Sequence, residues 1–200
     1  MCTAVHEIWK GTEKEMKQDL RITKTYRALT EAFFELLSQK KFEDITVNEI
    51  CNRAVVRRAT FYKHFGDKFE FFVFMVKEIQ EAFIEKSSKE ASDSREYYAN
   101  IIRFLIEFLD ENEQLVNSVL GSSYFSAMID VIIEQIVKDV KERLTEDEKS
   151  GASLSAPPEM LAQAFSGALV ETVKWWVTGG KKIEKEIFID YLVKLLVREV

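Results

Sequence analysis

Residues that end a helix or a strand are scarce in this chain, and this scarcity limits the possible folds more than any other feature. The 200 residues include two prolines and seven glycines, so few positions can end a regular element. From Leu20 onwards, apolar residues recur three or four positions apart, which is the spacing of one face of an α-helix. Hydrophobic residues make up 46% of the chain, enough to cover such faces with a core. We therefore predict an all-α protein of long amphipathic helices.

Charge is unevenly distributed along the chain. Residues 17–68 carry 11 Lys and Arg against 7 Asp and Glu, a net of +4, whereas residues 69–200 carry 15 against 24, a net of −9. Positive charge gathered in one segment is typical of a surface that contacts nucleic acid, even in a chain whose total charge is −6. The N-terminal third is therefore the candidate nucleic-acid-binding region.

The sequence offers little material for catalysis, metal binding or a membrane span. The histidines are His6 and His64 and the cysteines are Cys2 and Cys51, so no His-rich or Cys-rich metal site and no disulfide is expected. Gly-rich phosphate loops and nucleophile elbows are absent from the sequence. No apolar run approaches the roughly 20 residues that cross a bilayer. We expect a cytoplasmic protein without a cofactor, a metal, a membrane partner or enzymatic activity.

Two short helices in succession are predicted after residue 45. Thr46 and Glu49 have the spacing of a capping box, and an apolar stripe that includes Cys51 follows as core. A brief connection at Val55 and Val56 leads to a second helix over residues 57–65, before Gly66. A capped helix, a short turn and a second helix form a helix-turn-helix, whose second helix lies in the major groove of DNA.

This stretch resembles the DNA-binding signature of tetracycline-repressor (TetR/AcrR-type) regulators. The likeness covers about residues 20–75 and is most specific at residues 60–68, Thr-Phe-Tyr-Lys-His-Phe-Gly-Asp-Lys. Further on, Phe165-Ser-Gly-Ala-Leu169 and Trp175-Trp176 resemble the C-terminal domains of some members. The resemblance implies a homodimeric, ligand-responsive regulator, usually a repressor. It also implies three N-terminal helices on DNA and about six C-terminal helices that bind the effector and form the dimer.

The resemblance assigns DNA contacts by position. It implies phosphate contacts from Thr46, Tyr62, His64 and Lys68, and groove-facing positions for Arg57, Arg58, Ala59, Thr60 and Lys63. Tyr62 fits a structural ring packed against the first helix equally well. The family commonly has Gly-Val-Ser in the turn, where this chain has Val55-Val56-Arg57. Because a β-branched residue tolerates positive φ poorly, we predict an altered turn, and loss of the Ser cap costs about 1 kcal/mol.

Three segments are predicted along the chain. Residues 1–16 form a loose arm, residues 17–67 a helix-turn-helix domain, and residues 68–200 an effector-binding and dimerisation domain. A long helix over Phe69 to Phe83 joins the two domains as a lever. Residues 145–158, rich in Glu, Ser and Gly and closed by two prolines, are predicted to form a linker.

The C-terminal domain is expected to bind an effector, either a small molecule or a protein, and to form the dimer. Its aromatic and Met side chains suit the lining of an apolar cavity or plain core packing. These residues are Phe104, Phe108, Tyr124, Phe125, Met128, Phe165, Trp175 and Trp176. The last two helices are predicted to pair with those of a second subunit through Ala164, Gly167, Ala168, Phe188, Leu192 and Leu195.

Two other functions remain open from the sequence. The chain suits a protein-interaction adaptor with a weakened helix-turn-helix, because its turn is unusual and its C-terminal region is acidic. A small helical-bundle enzyme fits less well. Saturable, salt-sensitive and sequence-dependent DNA binding would distinguish the regulator from both.

Overall fold

A computed structural model describes residues 20–197, which contain nine α-helices and no strand. The helices are α1 (Leu20–Leu37), α2 (Val47–Arg53), α3 (Arg58–His64), α4 (Lys68–Glu90), α5 (Ser94–Glu111), α6 (Glu113–Leu120), α7 (Phe125–Lys149), α8 (Pro158–Thr178) and α9 (Lys185–Leu196). The predicted all-α fold, with three N-terminal helices followed by six, is confirmed. The predicted arm at residues 1–16 lies outside the described residues.

The described residues form two compact units. The first contains residues 20–82 together with Phe108–Ile129, and the second contains Phe83–Glu107 together with residues 130–197. These two units are defined by which residues pack together. The boundary predicted between residues 67 and 68 separates DNA binding from effector binding and dimerisation, and it stays a prediction.

Aromatic rings dominate the core of the first unit. Phe33, Phe61 and Phe71 are fully buried, and the Phe71 ring centroid lies 5.6 Å from each of the other two. Phe65 packs 4.8 Å from Phe71, which joins the end of α3 to α4. Offset and edge-on ring pairs contribute about 0.5–1.5 kcal/mol each beyond the burial of their area. The core of this unit therefore fixes α3 against α1 and α4.

The second unit has a core of its own. Tyr98 on α5 is buried against Phe165 on α8, with ring centroids 5.5 Å apart. Trp176 stacks on Phe188 at 4.6 Å, and its indole N–H donates to the Ile183 carbonyl at 2.8 Å. Together these two contacts hold α9 and the turn before it against the end of α8.

Several helix ends lie where the sequence places them. Asp67 accepts hydrogen bonds from the N–H groups of Phe69 and Glu70, which caps α4, and Pro158 opens α8, where a missing N–H costs nothing. The predicted linker at residues 145–158 is too long, because α7 continues to Lys149 and α8 already begins at Pro158. Between α1, which ends at Leu37, and α2 lies a short 3-10 turn, Phe42–Asp44.

Within residues 20–197, no single helix is both long and apolar enough to cross a bilayer. The bent pair of α6 and α7, taken together, has the length and the composition of a span. The same residues contain no group of three or more His, Cys, Asp or Glu side chains placed to hold a metal ion.

Candidate nucleic-acid interface

The helix α2 begins with the predicted capping box. Thr46 Oγ1 accepts a hydrogen bond from the Glu49 N–H at 3.2 Å, and the Glu49 carboxylate accepts from the Thr46 N–H at 2.9 Å. Lys40 donates to the same carboxylate, and this bond, followed by those from Thr46, lowers the pKa of Glu49 to about 2. Thr46 is exposed, so the box presents its hydroxyl at the surface.

The turn keeps a left-handed residue in spite of its sequence. Val55 has φ 56°, and its side chain is 93% exposed. The prediction of an altered turn is therefore wrong, because the hydrogen bond from the Val56 N–H to the Cys51 carbonyl (2.9 Å) closes the turn and Val55 accepts the strain. The predicted core position of Cys51 is confirmed.

The helix α3 has one buried side and one exposed cationic side. Phe61 and the following Phe65 are buried, whereas the exposed residues are Arg57, Arg58, Ala59, Tyr62 and Lys63. Thr60 is half-buried. Arg57 precedes α3 without a side-chain cap, as the sequence predicts. The exposed side supplies donors for phosphates and base edges, which is the requirement for a recognition helix.

Tyr62 lies on the exposed side of α3 with about half of its surface free. Its ring packs edge-on against Phe61 at 5.6 Å, and the Arg58 guanidinium lies 5.9 Å from its centroid. The ring thus supports the position of Arg58 while its hydroxyl end remains at the surface.

His64 is held by a half-buried tyrosine of α1. Nδ1 of His64 lies 3.1 Å from the hydroxyl of Tyr26 on α1, and both residues contact Phe65. The signal in the sequence would have been the hydroxyl of Tyr26, because a tyrosine that is partly buried usually finds a hydrogen-bond partner.

Lys68 has a different role from the predicted phosphate contact. Its ammonium group donates to the carbonyls of Phe42 at 2.7 Å, Glu43 at 2.9 Å and Ile45 at 2.7 Å. An ammonium group has three donors, so these bonds use all of them. Burial lowers the pKa of Lys68, with nearby Glu43 opposing that shift. Lys68 therefore anchors the 3-10 turn instead of facing a phosphate.

The predicted effector-lining residues are divided between the two units. Phe108, Tyr124, Phe125 and Met128 belong to the first unit, and Phe104, Phe165, Trp175 and Trp176 belong to the second. Tyr124 packs on Phe42 at 5.4 Å, Trp176 is buried against Phe188, and Trp175 is 59% exposed. Their role in binding an effector stays a prediction.

The predicted dimer residues are partly exposed and partly internal. Ala164 and Gly167 are exposed on α8, with Ala168 half-buried beside them, and Leu195 is exposed on α9. Phe188 and Leu192 instead fill the core of the second unit, so the predicted stripe of α9 is corrected. The exposed apolar stripe is made of Ile187, Tyr191 and Leu195.

Comparison with known proteins agrees with this geometry. A family model described as "Bacterial regulatory proteins, tetR family" matches residues 29–73, and another described as "Transcriptional regulator C-terminal region" matches residues 96–198. The second match alone spans more than half of the chain. The chain belongs to the TetR family. It is accordingly a DNA-binding transcriptional regulator of that family.

Individual relatives are similar over very different lengths. The uncharacterized HTH-type transcriptional regulator YxbF of Bacillus subtilis (strain 168) is 38% identical over 65 residues, which is 32% of this chain and only 17% of YxbF. The fatty acid metabolism regulator protein of the same organism is 25% identical over 86% of this chain and 93% of its own length. The crystal structure of FadR from Bacillus subtilis in complex with stearoyl-CoA has a TM-score of 0.65 and 23% identity, covering 88% of this chain and 99% of FadR.

Proposed function

We propose that this protein is a ligand-responsive repressor that binds a palindromic operator as a homodimer. The observation that carries the proposal is the exposed cationic side of α3, held from behind by Phe61 and Phe65. A single recognition helix reads only a few bases. A two-fold dimer reads two half-sites about one helical turn apart, which supplies the missing specificity.

The exposed face of α8 and α9 supports the dimer. Trp175 on α8 and Leu195 on α9 are about 60% exposed, and the apolar residues on this face also include Met160, Ile187 and Tyr191. A Cβ at Gly167 would have no neighbour within 4 Å among the described residues, so the face is open around it. Large exposed apolar side chains on two adjacent helices favour burial against a second copy of the same face.

The dimer can be tested by filling the open space at Gly167. Gly167→Leu should keep or raise the stability of the isolated subunit, because Gly costs a helix interior about 1 kcal/mol. The same substitution should raise the dimer dissociation constant at least tenfold in sedimentation equilibrium, because the leucine would enter the partner. Leu195→Asp should act in the same direction, and Lys182→Asp, on the exposed turn between the helices, is the matched surface control. Dimers of unchanged stability in both test variants would refute this interface.

An acyl-CoA is the effector class that we propose. The support is the likeness over most of the chain to a regulator whose structure holds stearoyl-CoA, together with the aromatic core of the second unit. An effector lowers operator occupancy only if it binds the DNA-free state more tightly.

The experiment uses the full chain and a site selected by it from random duplex DNA. We expect two-fold symmetric sites, salt-sensitive binding, and release of the DNA on addition of stearoyl-CoA, measured by fluorescence anisotropy. CoA without the acyl chain is the control. Binding to a selected site that stearoyl-CoA leaves unchanged would reject the ligand class, whereas failure to select any site would reject the operator-binding proposal itself.

A further inference from the structure

Residues far apart in sequence meet at the start of the helix-turn-helix. The corner between α6 and α7, residues 118–124, contacts the segment 40–44 that leads into α2. Ser118 Oγ donates to the Lys40 carbonyl at 2.7 Å. Ser122 Oγ donates to one oxygen of the Glu43 carboxylate at 2.7 Å, and the Ser123 N–H donates to the other at 3.0 Å. All of these residues belong to the first unit.

The Glu43 carboxylate is well matched to this corner. Each of its oxygens accepts one hydrogen bond, and the bond from Ser122 contributes most to lowering the pKa of Glu43 to about 2, followed by the bond from the Ser123 N–H. The carboxylate therefore stays ionised at neutral pH. Tyr124 closes the corner by packing its ring on Phe42 at 5.4 Å. Charge-assisted bonds of this kind fix geometry more firmly than neutral ones.

The segment that the corner grips is also tied to the DNA-binding helices. Lys68, at the start of α4, donates to the Glu43 carbonyl and to the carbonyls of Phe42 and Ile45. Lys40 donates to Glu49, whose carboxylate completes the Thr46 cap of α2. A displacement of segment 40–44 would therefore displace the first turn of α2.

We propose that Glu43 is a positioning residue for DNA binding, which holds the start of α2 in place by gripping the α6–α7 corner. The corner lies within residues 96–198, which match the C-terminal region of transcriptional regulators. The grip thus links a corner of that C-terminal region to the helix-turn-helix. The inference rests on DNA binding by this chain and does not depend on the identity of the effector.

The test compares neighbouring carboxylates on one turn. Glu43→Ala removes the grip and one negative charge, whereas Asp44→Ala removes the same charge from an exposed side chain beside it. Loss of a negative charge alone strengthens binding to DNA. We therefore expect Asp44→Ala to bind a wild-type-selected site as tightly as the wild type or more tightly. Glu43→Ala should bind about three- to tenfold more weakly, the order expected for the net loss of one ordinary hydrogen bond.

Further measurements separate positioning from general instability. The double variant Glu43→Ala/Ser122→Ala should bind no more weakly than Glu43→Ala alone, because both substitutions break the same grip. Native-state amide exchange should accelerate over residues 46–50 in Glu43→Ala, while circular dichroism shows a folded protein at the assay temperature. The proposal is overturned if Glu43→Ala matches Asp44→Ala in affinity for DNA. It is also overturned if the fraction of unfolded protein accounts for the whole loss of affinity in Glu43→Ala. Failure of the wild type to select any site would instead concern DNA binding itself.

Discussion

The hydroxyl of Tyr26 lies 3.1 Å from Nδ1 of His64, and the two rings meet edge to face with centroids 5.3 Å apart. Burial, and secondarily the charge of Glu78, raise the pKa of Tyr26, so its hydroxyl keeps its proton at neutral pH. The O–H can then donate to Nδ1, which leaves the proton of a neutral imidazole on Nε2. The pair thus fixes the orientation of His64 in the last turn of α3, which suits the phosphate contact predicted for this residue.

Tyr26→Phe should weaken DNA binding by a few fold without unfolding the protein. The substitution keeps the ring contacts with Phe65 and Phe74 and removes only the hydroxyl that orients His64. In a double-mutant cycle measured by anisotropy, Tyr26→Phe should have little further effect once His64 is alanine. Additive losses would show that Tyr26 acts elsewhere.

Lys68→Met should lower stability without changing the number of phosphate contacts. Three carbonyls lose a charged donor, and one hydrogen bond to a charged group is worth about 1.5–3 kcal/mol. We expect the free energy of unfolding in urea to fall by about 2 kcal/mol or more. The slope of log affinity against log salt should stay at the wild-type value. Lys63→Ala, on the exposed side of α3, should instead reduce that slope by about 1. A reduced salt slope for Lys68→Met would instead support the phosphate contact predicted from the sequence.

Local patterns were enough to predict the helices and the helix-turn-helix. The capping box of Thr46 and Glu49 depends on residues three positions apart, so sequence spacing reveals it. The burial of Phe61 follows in the same way from its place on the inner side of α3.

Contacts between distant residues could not be predicted in this way. Lys68 is a surface cation by sequence, and only the fold brings it within reach of three carbonyls more than 20 residues away. Glu43 and Ser122 are separated by 79 positions, and neither lies in a motif. On α9, apolar periodicity alone did not show which residues face inwards. Phe188, which packs on Trp176, and Leu192 are internal, whereas Leu195 is exposed.

Val55→Gly and Val55→Asn should both stabilise the protein. Val55 is β-branched and has φ 56°, and this left-handed backbone conformation costs an L-residue roughly 1–2 kcal/mol. Glycine and asparagine adopt it more readily, although glycine loses part of the gain through its more flexible unfolded state. We expect a gain of about 1 kcal/mol in chemical denaturation, with Val55→Ala giving less. Destabilisation by both substitutions would mean that the valine side chain packs against something in solution.

Glu78 should make stability fall as pH rises from about 4.5 to about 7. Burial, and secondarily the charge of Glu81, raise the pKa of Glu78 from 4.5 to about 7, so the folded state holds this proton more tightly than the unfolded state. A raised pKa of this kind stabilises the fold fully below the ordinary pKa, and the contribution is lost by the time the pH passes the folded value. The charge of Glu78 in turn raises the pKa of Tyr26, after burial, which is the larger cause.

Urea denaturation of Glu78→Gln should give a flatter profile of stability against pH over this range, and a higher stability at pH 8 than the wild type. Glu81→Gln should make the fall in stability end at a lower pH, because one of the two causes of the raised pKa of Glu78 is gone. Parallel profiles for the wild type and Glu78→Gln would contradict the assignment.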